Sequence, residues 1–301
     1  MPASSASPYP LPPLRATRWR LRSRWLDLPR RPLVMGIVNV TPDSFSDGGR
    51  YFAQQQAIEH GLALAAAGAD LLDVGGESTR PYSQPVSVDE EARRVLGVVQ
   101  ALAERTGVPV SIDTSKAAVA RDALAAGAEI INDVTALAGD PAMLGLAAAS
   151  GAAVCLMHMR GTPQTMQDNL QYDDLLGEIT AFLAARRDAC THAGIAPERI
   201  ALDPGVGFGK THGHNVQIMA HCYRLHELGC PLLVGHSRKG FLAKVVGFQQ
   251  ADLTAGTIGA SIALALQGVQ IVRVHDAGPV RQALAVFEAV GGLSGEPMQL
   301  P

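Results

Sequence analysis

Asp113, Asn132 and Asp203 each end a short apolar run, and so do Lys239, Arg273 and His275, or nearly so. The first three accept hydrogen bonds. A carboxylate pairs well with two adjacent N–H donors in one plane, the edge that a 2-amino-4-oxo pyrimidine ring offers. Asn132 both donates and accepts, which suits a ring with mixed edges. Lys239 and Arg273 carry positive charge and His275 adds a donor, a set that suits a phosphate or diphosphate. Together they point to an anionic heterocyclic substrate, with acids against its ring and bases against its charge.

Other patterns carry less. Residues 204–211 (PGVGFGKT) fall one residue short of a phosphate-binding loop, because Pro204 stands where glycine is required. Gly205, Gly207 and Gly209 miss the dinucleotide spacing. His212, His214, His221 and His226 lack metal-ligand spacing and read as helix-face or surface residues. Thr114, Ser115 and Asp133 are candidates for capping helices, and Arg238 for a surface ion pair.

The polar ends belong to a regular series. Apolar runs at 33–38, 70–74, 109–112, 129–131, 152–156, 199–202, 231–234 and 270–272 read as strands buried on both faces. Helical periodicity lies between them, as in Val95, Val98, Val99 and Leu102. Glycines such as Gly107 and Gly194 stop these helices before the next strand. Eight strand–helix units over residues 33–290 predict an α/β fold, a (β/α)8 TIM barrel. An open doubly wound sheet is the alternative, and residues 36–39 lack its dinucleotide fingerprint. In a barrel all eight C-terminal strand ends converge on one mouth. Polar groups gathered there without a task would be costly.

Composition sets outer limits. The 301 residues can bury a core without staples, and a formal charge of −3 offers no basic field for nucleic acid. Four cysteines without CxxC spacing read as reduced thiols in the cytoplasm. No apolar stretch is long enough for a membrane span, and the first residues lack a secretory h-region. Residues 1–32 are rich in Pro and Arg and predict a poorly ordered extension, with Trp19, Trp25 and Leu26 able to dock on the body. Residues 291–301 read as a C-terminal tail.

Residues 40–49 (VTPDSFSDGG) and 73–81 (DVGGESTRP) resemble the two long signatures of dihydropteroate synthases. Shorter matches follow in order at 111–114 (SIDT), 131–133 (IND), 156–159 (LMHM), 203–205 (DPG), 237–239 (SRK) and 273–276 (RVHD). The resemblance spans residues 33–287. It implies a TIM barrel that joins a dihydropterin diphosphate to p-aminobenzoate in folate biosynthesis, with Mg²⁺ as cofactor, as a homodimer. By that resemblance Asn39 is the metal ligand beside the diphosphate, and Arg273 and His275, with Thr79, grip the diphosphate. Asp113, Asn132, Asp203 and Lys239 contact the pterin, with Met157 and Phe208 lining its pocket. Phe45, Asp47, Thr79, Arg80 and Pro81 lie on two loops that close over the site and complete the p-aminobenzoate pocket, which sulfonamides would share.

Two departures stand out. Tyr82, Ser83 and Gln84 replace the glycine that commonly follows the second signature, which would stiffen that loop. Gly240 follows Ser-Arg-Lys where the family often has serine, so a backbone N–H at a helix start would take over the p-aminobenzoate carboxylate. Two rivals share the barrel: a pterin-binding methyltransferase domain, which has no use for the first signature, and a non-catalytic pterin binder.

Overall fold

The computed structural model describes residues 11–40, 49–79, 82–247 and 252–299, with residues 49–52 described by backbone alone. Two short strands, β1 (Arg18–Arg20) and β2 (Trp25–Asp27), form an antiparallel hairpin ahead of the main body. The body then alternates: β3 (Leu33–Asn39), α1 (Gly49–Ala66), β4 (Leu71–Gly75), α2 (Val88–Arg105), β5 (Val110–Asp113), α3 (Ala117–Ala125), β6 (Ile130–Asp133) and α4 (Met143–Ser150). It continues through β7 (Ala153–Met157), α5 (Leu175–His192), β8 (Ile200–Asp203), α6 (His212–His221), β9 (Leu233–Gly235), α7 (Gly240–Val246), α8 (Thr254–Leu266), β10 (Ile271–Val274) and α9 (Ala277–Ala289).

Strands β3 to β10 are parallel, and the last pairs with the first. The ring closes where the Leu202 amide donates to Pro231 O at 2.9 Å, beside a bridge from Leu202 to Leu232. This is the expected (β/α)8 barrel. Its strands alternate between two apolar layers. One side of each strand faces the helices, where Val95, Val98, Val99 and Leu102 of α2 are fully buried. The other side fills the barrel with Met35, Leu71, Ile130, Ala153, Ala201, Leu233 and Ile271. Helix α2 starts where sequence chemistry allows: Ser87 accepts from Glu90 N, and Asp89, Glu90 and Glu91 fill a first turn that favours negative charge.

One feature differs from the sequence reading. The interval between β9 and β10 holds two helices, α7 and α8, where one was expected. Residues 11–32 form the docked end of the N-terminal extension. The hairpin docks under the barrel with Trp19 fully buried beside Leu21 and Leu28. The arginines that argued against packing find acceptors instead. Arg15 donates to Gly268 O at 2.7 Å, Arg20 pairs with Glu198 and Arg24 with Glu129. Residues 1–10 lie outside the described residues. Among the described residues, no helix is long and apolar enough to cross a membrane.

Candidate active site

Strand register brings the polar ends together. Asp113 pairs with Asn132 across β5 and β6, and Met157 with Asp203 across β7 and β8. Asn39 pairs with Gly75 across β3 and β4. These residues, far apart in sequence, are thus fixed at the mouth by the strand ladder rather than by a loop.

Arg273 occupies one side. Its Nε lies 2.6 Å from Asp73 Oδ2 and its Nη2 lies 2.7 Å from Asp113 Oδ2. Asn132 Nδ2 donates to the same Asp73 oxygen at 3.1 Å. Asp73 is fully buried, and its Oδ1 has no partner among the described residues. Burial pushes the Asp113 carboxyl up to about 7, against the downward pull of Arg273. The two acids favour the charged guanidinium and hold its pKa above the ordinary arginine value, although burial opposes this. Sequence reasoning passed over Asp73. The signal was there: one acid inside the apolar run of β4, two residues before Gly75 and so on the same strand face.

The other side belongs to Asp203 and Lys239. Asp203 is buried and its Oδ1 accepts the Gly205 amide at 2.7 Å. Burial raises its pKa, opposed chiefly by the Lys239 charge. Lys239 donates to Val206 O, and its ammonium sits 4.6 Å from the centre of the Phe208 ring. Burial lowers Lys239 to about 8, with Asp203 acting in the opposite direction. Met157 is buried at the end of β7, and Phe208 is partly open on the turn after β8.

His275 lies beyond the end of β10, where its Nδ1 is 3.1 Å from Ser237 Oγ. Arg238 forms a two-pronged ion pair with Asp276 at 2.6 and 3.0 Å, as its surface reading suggested. Gly240 is the exposed first residue of α7. Asn39 is exposed at the end of β3. Thr79 is half-buried on the second loop, whereas Phe45, Asp47, Arg80 and Pro81 lie outside the described residues.

The decoys resolve as structure. His214 and Thr211 form a reciprocal cap at the start of α6, and His226 is buried. Among the described residues, no group of three His, Cys, Asp or Glu side chains could hold a metal. Asp133 bonds to the amides of Thr135 and Leu137, supporting a turn in which Ala136 and Leu137 both have positive φ. Lys210, at the end of the phosphate-loop near miss, turns inward to His158.

A cluster at the base of the second loop was also missed. Lys116 binds both Glu77 and the buried Glu91. The second oxygen of Glu77 accepts the Val86 amide at 3.2 Å. One carboxylate therefore ties together the two ends of the segment between residues 77 and 86.

The sequence model described as "Pterin binding enzyme" matches residues 35–275. A dihydropteroate synthase from Escherichia coli strain K12 is 45% identical over 264 residues, 88% of this chain and 93% of that protein. The solved dihydropteroate synthase of Xanthomonas albilineans with 4-aminobenzoic acid superposes with a TM-score of 0.84 at 46% identity, covering 91% of this chain and 98% of that one. The Yersinia pestis dihydropteroate synthase in a sulfonamide drug complex gives a TM-score of 0.85 at 46% identity, covering 91% and 99%. With signatures, barrel and polar mouth all in agreement, this chain belongs to the dihydropteroate synthase family of pterin-binding enzymes.

Proposed function

We propose that this chain condenses (7,8-dihydropterin-6-yl)methyl diphosphate with p-aminobenzoate, giving 7,8-dihydropteroate and diphosphate in folate biosynthesis. The observation that carries the reading is the opposed arrangement at the mouth, with Asp113, Asn132 and Asp203 beside Arg273 and Lys239. Asp203 and Asn132 address the pterin edge, and Phe208 and Met157 bound its ring. Arg273 and His275, with Thr79, take the diphosphate. The C–O bond to diphosphate breaks and a C–N bond to the aryl amine forms. The electron-rich dihydropterin ring bears the positive charge that develops at carbon, and the half-buried Asp113 and buried Asp203 stabilise it. Neutral aryl amine is already nucleophilic, so the chain needs no strong base. The amine proton leaves to solvent or to the departing diphosphate.

Mg²⁺ fits this chemistry. Asn39 offers a single amide oxygen, exposed at the first strand end. Mg²⁺ commonly takes one or two protein oxygens and completes its shell with substrate phosphates and water. Its role when bound is to offset charge on the diphosphate. Gly240 and the loop residues Phe45, Asp47, Thr79, Arg80 and Pro81 are assigned to the p-aminobenzoate side, where sulfonamides would compete. A cytoplasmic homodimer completes the reading. The exposed Val245 on α7 and Val286 on α9 are apolar surface that a second copy would cover.

Incubating the purified chain with the dihydropterin diphosphate, p-aminobenzoate and Mg²⁺ tests the proposal. Dihydropteroate should form, excess EDTA should abolish the activity and Mg²⁺ should restore it. Pterin binding without turnover under these conditions would leave a non-catalytic binder instead.

A further inference from the structure

The proposed reaction gives Lys210 no task, yet its side chain is almost wholly buried, at 4% exposure for the residue. It forms no ion pair among the described residues. A buried ammonium without a touching carboxylate is unfavourable, so its hydrogen bonds must be specific to be worth keeping. Nζ lies 2.9 Å from His158 Nδ1, 3.3 Å from the His158 carbonyl and 2.9 Å from the Phe208 carbonyl. Those acceptors come from two segments, the end of β7 and the turn after β8.

The two segments touch backbone to backbone. A Cβ on Gly205 would lie 1.8 Å from the His158 carbonyl, and one on Gly209 would lie 2.7 Å from the Arg160 carbonyl. Both glycines have positive φ. Tyr172 donates to Gly209 O at 2.9 Å from outside, with Arg160 stacked 3.9 Å from its ring centre. His158 is braced edge-on by Phe182 at 5.0 Å. From this same turn come the Gly205 amide that meets Asp203, the Val206 carbonyl that takes Lys239, and the Phe208 ring beneath Lys239. One half of the pterin pocket thus hangs on a turn rich in glycine, which has little stiffness of its own.

We propose that Lys210 is a positioning residue for the pterin subsite, locking the turn of residues 204–210 onto the end of β7 so that Asp203, Phe208 and Lys239 keep their places. The inference rests on the proposed function, since it assigns the pterin to this pocket. Burial without a paired acid lowers the Lys210 pKa to about 7, and burial with the nearby Lys210 charge lowers His158 to about 3. The His158 ring is then a neutral acceptor for the Lys210 ammonium.

The test compares Lys210→Met, which keeps length and loses all three donors, with Tyr172→Phe, which loses only the outer bond to the turn. Pterin-6-carboxylate affinity is read by calorimetry, steady-state constants with each substrate varied, and melting temperature recorded for both. Lys210→Met should weaken pterin binding about tenfold or more while the KM for p-aminobenzoate stays within about twofold. Tyr172→Phe should shift pterin affinity the same way by about two- to threefold. Unchanged pterin affinity in a folded Lys210→Met enzyme, or equal losses for both substrates, would overturn the inference. Should Lys210→Met not fold, Tyr172→Phe decides, and parental pterin affinity there counts against the idea. A parent protein that fails to bind the pterin would sink the functional reading itself, an outcome distinct from any of these.

Discussion

Asp73 lies beneath Arg273 and shares one oxygen, Oδ2, between the Arg273 guanidinium at 2.6 Å and the Asn132 amide at 3.1 Å. Two of the residues assigned to substrate are therefore oriented by a third that no substrate need touch. Arg273 in turn reaches Asp113. On the proposed reading, a diphosphate arriving at Arg273 would compete with Asp113 for the guanidinium and couple the anion side of the mouth to the pterin side.

Asp73→Asn keeps the shape and removes the charge. Removing one partner of a buried ion pair typically costs about 3–5 kcal/mol, and the retained amide and the Asp113 contact should hold the loss near about 2 kcal/mol. Urea unfolding should show that loss, and kcat/KM for the dihydropterin diphosphate should fall about tenfold or more. If stability and kcat/KM both stay at parental values, Asp73 does not orient Arg273.

Asp203→Asn turns one buried acceptor into a donor facing the pterin edge. An unmatched buried polar group predicts a loss on the order of 2–4 kcal/mol in pterin affinity. Calorimetry with a pterin ligand reads this directly. Affinity unchanged by the substitution would remove Asp203 from recognition.

Pterin affinity should also depend on pH near neutrality. Burial raises the Asp113 carboxyl to about 7 and raises Asp203 as well. A ligand that needs the ionised acceptor binds the deprotonated carboxyl, so affinity falls as pH drops through about 7, while on the alkaline side Lys210, at about 7, and Lys239, at about 8, lose their charge and give an opposing limb. One linked proton gives about a tenfold loss per pH unit on the acid side. Titrating affinity between pH 5.5 and 8.5, ranges of about three units spanning the transition, should show this limb in the parent. Asp113→Asn should bind more weakly and show a flatter limb. An identical slope in the variant would move the titration to another group.

Lys116→Met releases Glu77 from Glu91 at the base of the second loop. The segment between residues 77 and 86 carries Thr79, assigned here to both substrates; without it Arg273 and His275 still hold the diphosphate, whereas the p-aminobenzoate pocket depends on the loop. The KM for p-aminobenzoate should rise about three- to tenfold, with that for the dihydropterin diphosphate within about twofold. Sulfonamide inhibition should weaken in parallel. A rise shared equally by both substrates would show that the cluster supports the whole mouth.

Sequence reading located all eight barrel strands because parallel strands are buried on both faces and leave continuous apolar runs. Most of those runs stop short of the true strand ends. Asn39, Asp113, Asp133 and Asp203 are themselves the last ladder residues, so the hydrogen-bonded strand continues after the hydrophobic pattern has ended. The sequence places a helix start at Gly240 but not the end of α7 after seven residues at Gly247, which leaves α8 a separate helix. Asp73 was hidden inside an apolar run, and Lys210 inside a glycine-rich string that suggested a different chemistry. Asp73 stands out in sequence only as an acid within that run, and the partners of both residues become visible only in the folded barrel. Docking of Trp19 was legible from its apolar bulk, but the partners of the arginines were not, because composition counts seven arginines over residues 15–31 as mutual repulsion, whereas Gly268 O, Glu129 and Glu198 await several of them under the barrel.

The hairpin beneath the barrel has a consequence for assembly in time. Arg15 donates to Gly268 O, Ala16 O accepts from Gln270, and the Trp19 indole donates to Arg199 O at 3.0 Å. Each partner is synthesised long after the hairpin itself. The segment made early must therefore wait, with Trp19 in water, until the closing strand emerges and gives it a floor to seat against. Of the chain's two tryptophans, Trp19 ends fully dry while Trp25 remains 49% exposed. A late blue shift of indole emission during refolding would thus time the sealing of the barrel base, a clock for completion that the polar mouth at the opposite end does not possess.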